Sequence, residues 1–271
     1  MKSILVHLDA SPRAATRLAL ARDLAQTHGA ALKAIYAVLP ALLLMPWATE
    51  EGMAAAAAAL AEVDRTQRER ARALFDRTAG PAATWAETGA EGLHDTLLAE
   101  ALCSDLLVLG QGDEPNEQTG ALPADFVPAL ITDSGKPTLV VPYVGEIAPP
   151  GRRVLLAWKP TREAARAAAG ALPWLRGAAE VHIAAPNAQA DDPGLALLRR
   201  WLALHGVAGS VTAHALGDAD VGERLLSLAA DTGADLLAMG CYGHSRAREF
   251  VLGGATRSVL RAMTLPVLMA H

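Results

Sequence analysis

The chain has 271 residues, 52% of them hydrophobic and only 4% aromatic, with a formal net charge of −5. That length suits two domains with aliphatic cores, and an acidic balance without Lys- or Arg-rich runs points away from nucleic acid and from anionic membrane surfaces. Cys103 and Cys241 are far apart and make no Cys-x-x-Cys pattern, which excludes a disulfide framework and a structural zinc site.

The chain enters a strand at once, Ile4 to Leu8, with no apolar leader or cleavage site before it, which predicts a cytoplasmic protein. Ser11 reads as the N-cap and Pro12 as the first position of a helix that runs to about Thr27 and closes at Gly29. A second strand, Ala31 to Val38, leads into the apolar run Leu39 to Trp47, broken by Pro40 and Pro46 and far shorter than a membrane span. That run either covers a sheet edge or meets another subunit. A long helix from about Glu50 to Thr78 follows, rich in Ala and in Glu/Arg pairs, with a solvated polar half. Strand Thr84 to Thr88, helix Gly92 to Leu102, strand Asp105 to Leu109, helix Asp125 to Asp133 and strand Thr138 to Val141 complete the set. Strands alternate with helices, and the inner strands are continuous apolar runs, as in a parallel sheet covered on both faces.

Tyr143 to Gly151, with Pro149 and Pro150, reads as a linker, after which the order repeats. Val154 to Trp158 matches the first strand, Thr161 to Ala165 the first helix start and Glu180 to Ala184 the second strand. Helix Pro193 to His205, strand Val211 to Leu216, helix Val221 to Thr232 and strand Asp235 to Met239 follow. Ser104-Asp105-Leu106-Leu107-Val108-Leu109-Gly110 aligns with Ala234-Asp235-Leu236-Leu237-Ala238-Met239-Gly240, and Lys136-Pro137-Thr138-Leu139-Val140 with Leu265-Pro266-Val267-Leu268-Met269. The chain is a tandem duplication with domains at 1–145 and 151–271.

The most informative stretch runs from Met239 to Thr256. Gly240, two residues, Gly243, nine residues, then Gly253 and Gly254 lead into Ala255 and Thr256, which open the last helix. Glycines let a backbone approach a ligand closely, and a helix N-terminus presents free N–H groups, so such a loop can hold a phosphate. It is neither a lysine-bearing phosphate loop nor the tighter dinucleotide fingerprint, and turns with helix caps produce similar patterns.

With these motifs in view, the chain resembles a tandem member of the universal stress protein family. The residues that carry the resemblance are the strand ending in Asp9, the Ala-Asp-Leu-Leu-x-Met-Gly-x-x-Gly run with nine residues to a second glycine pair, and the closing Leu265-Pro266-Val267-Leu268 strand. The resemblance implies two Rossmann-like (adenine nucleotide α-hydrolase-like) α/β domains, each a five-stranded parallel sheet of order 3-2-1-4-5 with helices on both faces. It also implies pairing of the domains through their last strands, Thr138 to Val141 and Pro266 to Ala270, and admits a homodimer.

Some members of the family bind ATP. By the resemblance Gly240, Gly243, Gly253, Gly254 and Thr256 are nucleotide-binding residues, with Ala255 beside them at the helix start and ATP, with Mg2+, as the ligand. His244 and Arg246 lie inside the loop, where they can contact phosphates, and Lys159, a departure from the family pattern, can donate to a ribose hydroxyl or meet a phosphate oxygen. The aspartate that follows the first strand in nucleotide-binding relatives is Asp9 in the first domain, whereas the second has Lys159, which cannot accept hydrogen bonds from ribose hydroxyls. The first domain's loop, Gly110 to Glu117, carries carboxylates where phosphate would sit. Each repeat therefore holds half of the expected site. The two readings are a nucleotide-binding module using the second domain and a nucleotide-free interaction scaffold. Catalytic and metal-binding residues are expected to be absent, and so is a dedicated enzymatic activity.

Other side chains carry competing readings. Arg248 either meets phosphate or pairs with Glu249, and Tyr242 either shields a nucleotide or packs on the helix. Cys241 is a reactive thiol or a small residue in a tight turn. His7, His94 and Asp95 suggest a metal or base, but a strand position for His7 and a helix start for His94 favour structural roles.

Overall fold

The computed structural model describes residues 1–41, 50–88, 92–112, 122–145, 147–189, 191–217, 219–241 and 254–271. Two compact units divide the chain, Met1–Ser134 and Gly135–His271.

In the first unit β1 (Ser3–Leu8) is followed by α1 (Ala14–His28), β2 (Ala31–Tyr36), α2 (Glu50–Thr78), β3 (Thr84–Glu87), α3 (Leu93–Leu102), β4 (Leu106–Gly110) and α4 (Phe126–Asp133). The strands lie in the order β3-β2-β1-β4, all parallel. β1 and β4 sit inside, and their apolar residues, Ile4 to Val6, Leu8 and Leu106 to Leu109, are buried, as a sheet covered on both faces requires. Gly29 closes α1 in the left-handed region at φ 57°, its N–H reaching back to Ala25 and Gln26. The start differs from expectation. Arg13, not Ser11, occupies the N-cap of α1, because the Ser11 hydroxyl donates to Asp9 instead.

The second unit contains β5 (Thr138–Val141), β6 (Arg153–Ala157), α5 (Arg162–Leu175), β7 (Glu180–Ala185), α6 (Pro193–Leu204), β8 (Ser210–Ala215), α7 (Val221–Thr232), β9 (Leu236–Gly240), α8 (Gly254–Ala262) and β10 (Val267–Ala270). Its sheet has the order β5-β10-β9-β6-β7-β8. β6 to β10 are parallel and reproduce the 3-2-1-4-5 order of the repeat, while β5 runs antiparallel to β10 with Leu139 opposite Leu268. The boundary between units therefore precedes β5, whereas the duplicated text breaks after it.

Small residues set the layer spacing. α5 turns Ala164, Ala167, Ala168 and Ala171 inward, and a Cβ on its Gly170 would stand 2.8 Å from Pro137 Cγ. The caps follow the text: Thr161 accepts the Ala164 N–H at the start of α5, and Asp192, before Pro193, accepts the Leu195 N–H at the start of α6.

The aspartate shared by both repeats has a structural task. Asp235, just before β9, accepts the backbone N–H groups of Gly151, Arg152 and Arg153 at 2.6 to 3.1 Å, and Asp105 accepts those of Lys2 and Ser3. Each clamps the start of its repeat's first strand. Asp235→Ala strands three donors at the entry to β6 and is expected to cost the second unit about 1–3 kcal/mol, read as a lower urea midpoint at unchanged slope.

Candidate functional site

The repeat places two comparable locations at the carboxyl ends of the first and fourth strands, and the two are built differently. In the first unit Asp9 follows β1 and is buried. Its Oδ1 accepts the Ser11 N–H at 2.9 Å and the Ser11 hydroxyl at 2.5 Å, while its Oδ2 lies 3.0 Å from Arg17 Nη2. Arg17 Nε donates to the His7 carbonyl at 2.7 Å, and the guanidinium lies so close to Gly110 that a Cβ there would collide with it. Burial pushes the Asp9 carboxyl up, but Arg17, His7 and the Ser11 bonds outweigh it and hold the group at about 2. Asp9, read as a ribose acceptor, is instead half of an internal ion pair.

His7 is structural as well. Its Nε2 donates to the Ala37 carbonyl at 2.7 Å, its ring meets Phe126 with centroids 5.0 Å apart, and burial, helped by Arg17, lowers it to about 4. His94 Nε2 lies 3.4 Å from Asp133 Oδ2 and joins α3 to α4. No group of three or more potential metal-ligating side chains occurs among the described residues.

In the second unit a cleft of about 630 Å3 opens over the ends of β6, β7 and β9. β6 has β7 on one side and β9 on the other, so the cleft lies where the connections leave the sheet in opposite directions, the usual ligand position in open α/β sheets. One end is apolar, made by Pro186, Leu216, Val221 and Leu225; the other contains Gly240, Gly254, Ala255 and Thr256 at the start of α8. Lys159 is exposed at the cleft. Ala167 occupies in α5 the place that Arg17 has in α1, so no guanidinium fills the space. Trp158 also lines the cleft, with its Nε1–H buried and without a partner among the described residues.

Of the glycines, Gly240 is required by packing: a Cβ there would stand 2.5 Å from Ala164 N and 2.6 Å from Glu163 C, against the first turn of α5. Gly254 has open space around its Cβ position among the described residues. Gly243, His244, Arg246 and Gly253 lie outside the described residues, as do Tyr242, Arg248, Glu249, the first-domain loop residues 113–117 and residues 42–47 of the apolar run.

Cys241 is buried, and its Sγ donates to the Ala270 carbonyl at 3.3 Å. Burial, with the nearby Glu163 charge, pushes the thiol far above its ordinary value. Burial and the Ala270 bond support the reading of Cys241 as a small residue in a tight turn.

Two carboxylates in the cleft escaped the reading of the sequence. Glu163 is only 3% exposed. Burial pushes it up, but bonds from Arg162, its own N–H and Thr161 prevail and hold it below its ordinary value. Asp220 precedes α7 with φ 47° and ψ 40°, the only non-glycine residue in the left-handed region among the described residues, and its side chain makes no capping bond. An acid in a first helical turn is a legible signal for Glu163; nothing in the text marks the backbone of Asp220.

The second unit is thus a doubly wound α/β unit with a cleft at its topological switch point. Residues 153–271, the greater part of the second unit, match the family model described as the Universal stress protein family. A 46-residue stretch is 46% identical to a universal stress protein of Synechocystis sp., covering 17% of this chain and 16% of that one; the match thus spans a small part of that relative. The whole fold is similar to a crystal structure of a universal stress protein from Archaeoglobus fulgidus, at a TM-score of 0.69 and 14% identity over 99% of this chain and 95% of the other. It is also similar to a functionally unknown protein from Pseudomonas aeruginosa, at a TM-score of 0.56 and 17% identity over 100% and 92%. At these identities the likeness concerns the fold.

Two outcomes test the site's construction. Gly240→Ala forces a Cβ into the backbone of α5 and is expected to destabilise the second unit by about 1–3 kcal/mol, whereas Gly254→Ala changes stability by less than about 0.5 kcal/mol; denaturant titration of both variants gives the contrast. In the first unit the folded-state pKa of His7 is depressed, so its neutral form contributes stability that is complete above about pH 6.5 and lost as pH falls toward about 4. The loss is of order 3 kcal/mol. His7→Phe, which keeps a ring beside Phe126 but cannot titrate, is expected to flatten unfolding free energy between those pH values while lowering it at pH 7.

Proposed function

We propose that this chain is a nucleotide-responsive member of the universal stress family that binds one adenine nucleotide, ATP with Mg2+, in the cleft of its second unit. The observation that supports the reading is the cleft itself, an apolar end suited to a base and, at the other end, the N-terminus of α8, whose free N–H groups suit phosphate. Lys159 adds a cation at the same cleft, and Mg2+ would enter on the phosphates. The glycine loop, with Gly243, His244, Arg246 and Gly253, is read as closing over the phosphates. The first unit is a partner domain without a nucleotide, because Arg17 and Asp9 occupy the corresponding place.

Binding, not chemistry, is the proposed role. Neither a base, a metal-binding carboxylate pair nor an arginine finger is assigned beside the phosphates, so hydrolysis is expected to be slow at most. Among the described residues no helix is long and apolar enough to cross a membrane. The proposal places the protein in the cytoplasm, with its domains paired through their last strands and able to form a homodimer, and without nucleic-acid or membrane partners.

Thermal shift with ATP and Mg2+ tests this. The wild type is expected to gain melting temperature in proportion to the logarithm of ATP concentration well above its Kd. Gly254→Asp sets a carboxylate in open space at the start of α8, where it favours the helix dipole but repels phosphate. That variant is expected to melt no lower than wild type and to lose the response to ATP. A wild type unmoved by millimolar ATP would instead support the nucleotide-free scaffold.

A further inference from the structure

We infer that Asp220 supplies the carboxylate that position 159 lacks, accepting the ribose hydroxyls of the bound nucleotide from the opposite wall of the cleft. The inference rests on the nucleotide reading above and names the residue that makes it chemically complete. A cleft that takes a nucleoside needs an acceptor for two vicinal hydroxyls, and Lys159 donates only.

Three observations single out Asp220. The first is its position along the cleft. The next residue, Val221, belongs to the apolar end, while Gly222 packs against the start of α8, where a Cβ would lie 2.6 Å from Ser258 Cβ and 2.8 Å from the Ala255 carbonyl oxygen. Asp220 itself lines the cleft, one residue from the apolar Val221 and two from the contact with α8. The second is what its side chain leaves undone. An aspartate at a helix N-cap ordinarily accepts an N–H of the first turn, as Asp192 does for Leu195 at 3.0 Å. Asp220 holds the same position for α7 and makes no such bond, and neither an ion pair nor a side-chain hydrogen bond engages its carboxylate among the described residues. The third is its backbone. A left-handed residue with a side chain is uncommon, and aspartate tolerates the region better than most; here the residue in that conformation lines the cleft and does not cap its own helix.

Glu163, the other carboxylate of the cleft, is committed elsewhere. Its oxygens accept from Arg162, its own N–H and Thr161, which makes it part of the start of α5.

The test compares ATP with 2′,3′-dideoxy-ATP by isothermal titration, for wild type, Asp220→Gly and Asp220→Asn. Hydrogen bonds to a charged acceptor predict that wild type binds ATP about tenfold or more tighter than the dideoxy compound. Asp220→Gly suits the left-handed backbone and is expected to melt at or above the wild-type temperature, yet to bind both nucleotides alike at the weaker affinity. Asp220→Asn keeps shape and backbone tolerance without the charge and is expected to lose most of the preference. Wild type binding ATP and dideoxy-ATP equally would overturn the role of Asp220 while leaving the nucleotide site standing, as would a preference retained in the glycine variant. Failure of wild type to bind either compound would overturn both readings.

Discussion

In both repeats the last residue of the fourth strand has no room for a side chain, and what presses against it decides what that half of the molecule can hold. Against Gly110 lies the guanidinium of Arg17, tied to Asp9 and to the His7 carbonyl. Against Gly240 lies the backbone of Glu163 and Ala164 at the start of α5. One fold thus gives two outcomes: a buried charge pair fills the place in the first unit, and a helix start set close to the strand leaves a cleft in the second. Ala167 at the position matching Arg17 is the substitution on which this difference turns.

The buried pair carries a cost that explains its geometry. Removing one member would leave the other charge unpaired in the interior, which typically costs 3–5 kcal/mol; the guanidinium meets Asp9 Oδ2 and the His7 carbonyl, and Asp9 Oδ1 accepts from Ser11. The second unit distributes its charges differently. Glu163 is absorbed into the first turn of α5, while Lys159 and Asp220 are exposed at the cleft. Ionisable groups at a ligand site are useful when they are not already neutralised by each other, and these two are the candidates for meeting a polar ligand.

Much of the fold was legible because it is written twice. The continuous apolar strands, Gly29 and Gly233 at helix ends, and the caps at Thr161 and Asp192 are local features with local causes, and α2 and α7 start and stop where expected. What escaped depended on distant partners. Ser11 looks like a cap until Asp9 and Arg17 are seen beside it, and Gly240 looks like a phosphate glycine until α5 is placed against it. Asp9 has the residue type and the spacing of a nucleotide contact, but Arg17, eight positions on, consumes it. Asp220 was invisible for another reason: its positive φ and its place at the cleft belong to the folded backbone, and no residue pattern encodes them. The family model matched by residues 153–271 describes the second repeat and says nothing of how the first unit's place is filled.

The chain we propose is asymmetric, with one nucleotide site in the second repeat and the matching place in the first closed by an ion pair. Native mass spectrometry of the gently purified full chain, titrated with ATP and Mg2+, counts the sites directly. Saturation is expected at one nucleotide per chain, with the bound species abolished by Gly254→Asp and retained by Arg17→Met. Saturation at two per chain, or a bound nucleotide lost on changing Arg17 but kept on changing Gly254 in a chain that remains folded, would contradict it.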